Sequence, residues 1–297
     1  MYRRPSAARS ALSIPILNAS GCLDALTAPG VAATLDAFVT KTVTPLVREG
    51  NPPPRIAETE GAMLNSIGLQ NPGIDAFLAD HLPRLHELEL PVWVSVGGFS
   101  ADDYAHVCSL LDDREEVATV ELNLSCPNVE EAPETAAEIV AVARDATSKT
   151  LYAKLSPAAW DVAETARAVA DAGADGLSLV NTIRGLSLDH RTLSPTIASG
   201  AGGYSGPALR PIALACVYAC ASAVDLPIVG MGGVASGRDA LDLVAAGASA
   251  VALGTILFSD PLAAPRVRAE LAAAVVASGY ESPAEVRAKA LESTGLR

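Results

Sequence analysis

The chain is predicted to be an α/β protein, a (β/α)8 TIM barrel with long loop insertions at its C-terminal face. Three observations predict it. Short β-rich runs recur eight times along 297 residues, amphipathic segments of crossover-helix length follow most of them, and a polar residue or a glycine stands at the end of each run, where barrels build their sites.

The runs are Pro15–Ala19, Ala37–Lys41, Val92–Val96, Thr119–Leu124, Leu151–Leu155, Gly176–Val180, Pro227–Met231 and Ala250–Leu253. Helical patterns such as Trp160–Ala172, Leu209–Ala223 and Gly237–Ala246 separate them, with glycine stops at Gly173 and Gly247. Alternation of this kind implies parallel strands, and eight repeats favour a closed barrel over the alternative, an open doubly wound sheet. No Pro/Gly/Ser linker divides the chain, so a single domain over residues 1–297 is expected. Two connections are long, Thr42 to Pro91 and Thr182 to Leu226. Both are rich in turn residues, at Asn51-Pro52-Pro53-Pro54-Arg55 and Gly202-Gly203-Tyr204-Ser205-Gly206-Pro207, and both are expected to cover the barrel mouth.

Composition excludes several classes. A formal net charge of -13 opposes nucleic-acid binding, which needs clustered Lys and Arg. Five cysteines without framework spacing argue against a secreted disulfide scaffold, and no CxxC or Cys/His pattern suggests zinc. Cys216 and Cys220 read as small core residues on a helix. Met1-Tyr2-Arg3-Arg4 lacks the apolar run of a signal peptide and no segment reads as a membrane span, so a cytoplasmic protein is expected.

The strand ends carry Ser20, Lys41, Ser95, Asn123, Lys154, Asn181, Gly232-Gly233 and Gly254-Thr255. A lysine closing an apolar strand is costly to bury without a partner. Lys41 and Lys154 therefore suggest a ligand with negative charge; the alternative for each is an ion pair with a barrel carboxylate such as Glu121. The glycines after the last two strands suit phosphate held by backbone N–H groups, although tight βα turns account for each pair alone. Asn65, Asn123, Asn128 and Asn181 offer donors and acceptors that match the alternating N–H and C=O edge of a cyclic imide, whereas loop capping explains any one of them.

The stretch Asn123-Leu124-Ser125-Cys126-Pro127-Asn128 places a thiol where an apolar strand ends. Cys126 is the leading base or nucleophile, with a structural thiol as the alternative. His81, His86 and His106 fall in helical patterns and His190 beside Asp189 and Arg191, so none competes for that role.

These residues resemble the class 1 dihydroorotate dehydrogenases, which use cysteine where class 2 uses serine. The resemblance is carried by Asn18-Ala19-Ser20-Gly21, Lys41-Thr42, Asn51 to Arg55, Met63 to Gly73, Asn123 to Val129, Lys154, Val180 to Gly185, Gly202 to Pro207, Gly230 to Gly233 and Gly254-Thr255. The wording around Asn65 and Asn181 is closest to class 1B, the NAD-linked form.

The resemblance implies FMN bound by Ser20, Lys41, Thr42, Asn123, Lys154, Val180, Gly206, Gly232, Gly233, Gly254 and Thr255, the last four at its phosphate. Ser95 stands where the family has asparagine, a shorter group expected to reach the flavin through a water. It implies dihydroorotate bound by Lys41, Asn65, Ser66, Ile67, Gly68, Leu69, Asn123, Asn128, Asn181 and Thr182. Cys126 would take the C5 proton while hydride leaves C6, and Lys154 would stabilise the charge gathered on reduction.

A homodimer is implied, as is a second subunit carrying FAD and a [2Fe–2S] cluster, since this chain has no dinucleotide module or cluster-type cysteine run. After the cysteine motif Glu130-Glu131-Ala132-Pro133 replaces the family's lysine and glycines. The alternatives are a dihydropyrimidine-dehydrogenase-like flavoprotein, a flavin-free sugar-phosphate isomerase or aldolase using Lys154 as Schiff-base former, and a non-catalytic scaffold.

Overall fold

The computed structural model describes residues 12–124 and 133–293. Its strands, in chain order, are β1 (Ile16–Asn18), β2 (Phe38–Val39), β3 (Ile56–Thr59), β4 (Ala62–Asn65), β5 (Val92–Val96), β6 (Val117–Asn123), β7 (Thr150–Leu155), β8 (Gly176–Leu179), β9 (Ile183–Gly185), β10 (Gly202–Ser205), β11 (Ile228–Met231) and β12 (Ala250–Leu253). Eight of them form one parallel sheet in the order β1-β12-β11-β8-β7-β6-β5-β2, at the eight positions read from the sequence.

A side chain completes the ring. Leu17 bridges Ala37 in parallel, and beyond that bridge the amide of Asn18 takes over the pairing: its Nδ2 donates to Val39 O at 2.7 Å and its Oδ1 accepts from Val39 N at 2.9 Å. Asn18 is fully buried, so these bonds satisfy backbone groups that no water reaches. The seam between β1 and β2 is thereby shut, which brings the residues that follow each strand, Ser20 and Lys41, to one side of the mouth.

Period-two alternation sorts the side chains. On β7, Leu151, Ala153 and Leu155 join the core beneath the helices, while Tyr152 faces the barrel axis together with Leu17, Val39, Trp93, Val229, Met231 and Ala252. Trp93 and Tyr152 fill that interior with ring centroids 4.7 Å apart. Two residues further along the same strands come Ser95 and Lys154, and Glu121 and Ser178 share this level, all four buried. The barrel therefore has an apolar lower interior and a polar layer just under the mouth.

Capping explains where helices depart from their expected limits. The pattern at Trp160–Ala172 forms a helix only over Val162–Asp171, because the Asp161 carboxylate accepts from Ala163 N at 2.9 Å and Glu164 N at 3.0 Å and leaves Trp160 outside, fully exposed. Ser236 and Asp239 form a capping box that starts Gly237–Ala245.

The two insertions, read as loops, hold strands of their own. They meet in an antiparallel sheet of order β3-β4-β10-β9, in which Gly203 pairs with Asn65 and with Arg184. A side chain at Gly203 would collide with Thr182, so glycine is required for the close approach. This glycine-rich pairing lacks apolar alternation, which is why the sequence shows turns and not strands.

Candidate active site

The strand ends and the small sheet enclose a cavity of about 770 Å3, within the ~300–1,000 Å3 of ligand pockets in general. Ser20, Lys41, Thr42, Asn65, Ser66, Ile67, Gly68, Leu69, Asn123, Lys154, Val180, Asn181, Thr182, Gly206, Gly232, Gly233, Gly254 and Thr255 all line it. Cys126 and Asn128 lie outside the described residues.

Ser95 is placed differently from the rest. It is fully buried and does not line the cavity; its Oγ lies 3.0 Å from Thr42 Oγ1, so it meets the site only through that threonine. One carbon of side chain on the inward face of β5 is too short to reach the rim.

Hydrogen bonds fix how the amides point. The Thr182 backbone N–H, which can only donate, lies 2.8 Å from Asn181 and must face its Oδ1. Asn181 Nδ2 then donates to Asn123 Oδ1 at 3.0 Å, and Asn123 Nδ2 to Thr42 Oγ1 at 3.1 Å. Thr42 Oγ1 also lies 3.0 Å from Ser95 Oγ and 3.5 Å from Ser20 Oγ, whose own hydrogen goes to Thr40 O. The chain has one direction, from backbone at β8 to hydroxyls at β2 and β5.

The two lysines differ. Among the described residues Lys41 has no ion pair, and its ammonium is held below the usual lysine range by burial, with the Arg55 guanidinium adding to the effect and Cys22 opposing it. An unpaired cation in a half-enclosed pocket is suited to an anionic ligand. Lys154 Nζ, by contrast, stands 3.5 Å from Glu121 Oε1 with side-chain exposures of 6% and 2%, so the ion pair weighed from the sequence forms for this lysine while the same side chain also lines the cavity.

The glycines serve two purposes. Gly232 and Gly233 have φ of 117° and 74°, and a Cβ on Gly233 would lie 2.9 Å from Gly206 O, so these three form one packed turn. At Gly254 a Cβ would meet only Ala19 Cβ at 3.7 Å and Cys22 Sγ at 3.8 Å. Packing does not demand glycine there; its backbone is left bare toward the cavity, a cradle that a side chain would partly fill.

Sequence reasoning gave no role to Cys22, Ser156, Arg184 or Phe258, all of which line the cavity. The signal for Cys22 was its place directly after Ser20-Gly21, and for Arg184 its place two residues past Thr182. Burial pushes the Cys22 thiol up, against the pull of the Lys154 and Lys41 ammonium groups, and keeps it neutral.

The family model for dihydroorotate dehydrogenase matches residues 7–275. A Listeria welshimeri protein named dihydroorotate dehydrogenase B (NAD(+)), catalytic subunit, is 41% identical over 286 residues, covering 93% of this chain and 94% of its own. Proteins of the same name from Cutibacterium acnes and Anoxybacillus flavithermus are 45% and 40% identical over 274 and 290 residues; they cover 86% and 92% of this chain and 87% and 91% of their own.

Proposed function

The chain belongs to the dihydroorotate dehydrogenase family, in its NAD-linked class 1B branch, and from that premise we propose that it oxidises dihydroorotate to orotate, for pyrimidine biosynthesis, in this cavity with FMN as its resident flavin. The observation that carries the reading is the joining of three features in one enclosure: glycine backbone after β11 and β12, bare at Gly254, a cation at the cavity floor on β7, and a directed chain of amides in the same cavity as Lys41, which has no ion pair among the described residues.

The residues present fit FMN. The open backbone at Gly254 and the positive-φ glycines at 232 and 233 leave N–H groups for a phosphate, and the volume admits a flavin with a small ring beside it. FMN, when bound, supplies the acceptor for the hydride that leaves C6 and passes the electrons on.

The chain's own residues do the rest. Gly232, Gly233, Gly254 and Thr255 hold the phosphate; Ser20, Lys41, Thr42, Asn123, Val180 and Gly206 surround the remainder, with Ser95 acting through Thr42. Lys154 supplies a fixed positive charge that favours the more negative reduced flavin. Lys41 holds the substrate carboxylate, and Asn65, Ser66, Ile67, Gly68, Leu69, Asn123, Asn128, Asn181 and Thr182 hold the ring edge. Cys126 takes the proton from C5. A thiol in an unperturbed setting, with a pKa of about 8.5, is only partly ionised near neutral pH.

Family membership leaves the flavin-free isomerase, the aldolase and the scaffold without support, and an ion-paired Lys154 ammonium is a poor Schiff-base former. The relatives are named catalytic subunits. A separate subunit carrying FAD and a [2Fe–2S] cluster would hand electrons to NAD, and the catalytic chain would act as a cytoplasmic homodimer. Among the described residues no helix is long and apolar enough to cross a membrane.

Assaying the purified chain for orotate with an artificial acceptor, fumarate and NAD in parallel tests this. Yellow protein active with the artificial acceptor, and with NAD only after the second subunit is added, is the expected result. Colourless protein that cannot be reconstituted with FMN would overturn it.

A further inference from the structure

Glu121 is buried in the polar layer of the barrel, and nothing in the proposed reaction uses it. It sits on β6 two residues before Asn123, and Asn123 pairs in register with Lys154 on β7, which pairs with Ser178 on β8. Three neighbouring strands thus bring a carboxylate, an ammonium and a hydroxyl together. Ser178 Oγ donates to Glu121 Oε2 at 2.8 Å, while Glu121 Oε1 has no hydrogen-bond partner among the described residues and faces Lys154 Nζ at 3.5 Å.

That distance is longer than a charge-assisted hydrogen bond. The carboxylate therefore gives the lysine a counter-charge without occupying its donors: among the described residues the ammonium makes no hydrogen bond, so its three N–H groups are left for whatever fills the cavity. Stability alone is a weak reason for such an arrangement, since a buried ion pair is commonly no better than an apolar pair of similar volume, whereas removing one partner strands the other charge.

The groups facing Lys154 are few. Glu121 comes from β6, the neutral hydroxyl of Ser178 from β8, and Cys22 from the segment after β1, with Lys41 acting on the same thiol from the end of β2. Burial keeps Cys22 protonated. Glu121 is the one carboxylate paired with this lysine among the described residues.

We propose that Glu121, anchored by Ser178, is a positioning residue that keeps the Lys154 ammonium charged and fixed at the cavity floor, and so sets how strongly the protein favours the reduced flavin. This rests on the FMN reading above.

Two measurements on the full chain test it. The sequence has four lysines, Lys41, Lys149, Lys154 and Lys289, so lysine labelled with 13C at Cε gives a spectrum simple enough for Lys154→Ala to identify the Lys154 signal. In Glu121→Gln, which keeps the shape and an oxygen for Ser178, that signal should titrate at lower pH than in the wild type. In the FMN-loaded protein the potential of the bound flavin should fall more steeply with pH, from above the wild-type value in acid, where the ammonium has lost its counter-charge, toward that of Lys154→Ala in alkali. Glu121→Asp should recover part of both effects.

Wild-type lysine titration and wild-type pH slope in Glu121→Gln, alongside a displaced potential in Lys154→Ala, overturn the proposal alone. A wild-type potential in Lys154→Ala overturns both the proposal and the cofactor role of Lys154. Should Glu121→Gln not fold, Ser178→Ala must show the same displacements in smaller degree, and behaviour identical to the wild type overturns the proposal.

Discussion

Asn181 Nδ2 donates to Asn123 Oδ1 at 3.0 Å, tying the end of the sixth barrel strand to the end of the fourth. Asn123 in turn donates to Thr42, so the chain whose direction the Thr182 N–H sets ends on a hydroxyl that need not touch substrate. Thr42→Val keeps the shape of that side chain and deletes the acceptor. Losing a net hydrogen bond of about 1 kcal/mol should raise the KM for dihydroorotate by roughly 3–10-fold, with thermal stability little changed. Steady-state kinetics check this; an unaltered KM would show that the amides orient themselves without the chain.

The barrel seam should be the fold's most sensitive polar contact. Asn18→Ala leaves the buried N–H and C=O of Val39 without the bonds they now make to the Asn18 amide, at a cost of about 2–4 kcal/mol for two stranded groups. Urea unfolding monitored by Trp93 fluorescence measures it. A loss below about 1 kcal/mol would mean that the strands re-pair directly.

Lys41 links stability to pH. Burial holds its ammonium below the usual range, so between that lowered value and the ordinary lysine pKa of about 10.4 the unfolded chain binds more protons than the folded one. Stability therefore rises with pH through this window, and the penalty is present in full below it. Lys41→Met should make the flavin-free chain more stable than the wild type at neutral pH, with the difference shrinking in alkali, while dihydroorotate binding is lost. Thermal unfolding against pH reads the first effect and titration with orotate the second.

Cys126, the proposed base, and Cys22, which lines the cavity, should behave in opposite ways. Cys126→Ser removes the proposed base and should slow turnover by ~10²–10⁴-fold. Cys22→Ser should stay within a few-fold of the wild type, because burial holds its thiol protonated. Iodoacetamide labelling followed by mass spectrometry should find Cys22 slow to react at neutral pH. Fast labelling there would contradict the assigned environment.

Much of this was legible in the sequence because barrel strands obey a simple period. Eight apolar runs with polar ends located the mouth, and the residues at those ends, Ser95 excepted, do line one cavity. The small sheet was not legible, since Gly202-Gly203-Tyr204-Ser205 has the composition of a turn and becomes a strand only through Asn65 and Arg184, far away in the chain. Asn18 was read as part of a motif, but its role as a substitute for strand pairing depends on the missing bonds of β2. Ser95 was set at the cofactor because it stands where the resembled family has asparagine; the depth of the polar layer, which only packing decides, puts Thr42 between it and the cavity.

Mixing the purified holoprotein with dihydroorotate in the absence of oxygen, and following the flavin absorbance through one turnover, tests the central claim most directly. Bleaching with one orotate formed per flavin, nearly abolished in Cys126→Ser, is the predicted result. Flavin that remains oxidised in the wild type while dihydroorotate is bound would contradict it.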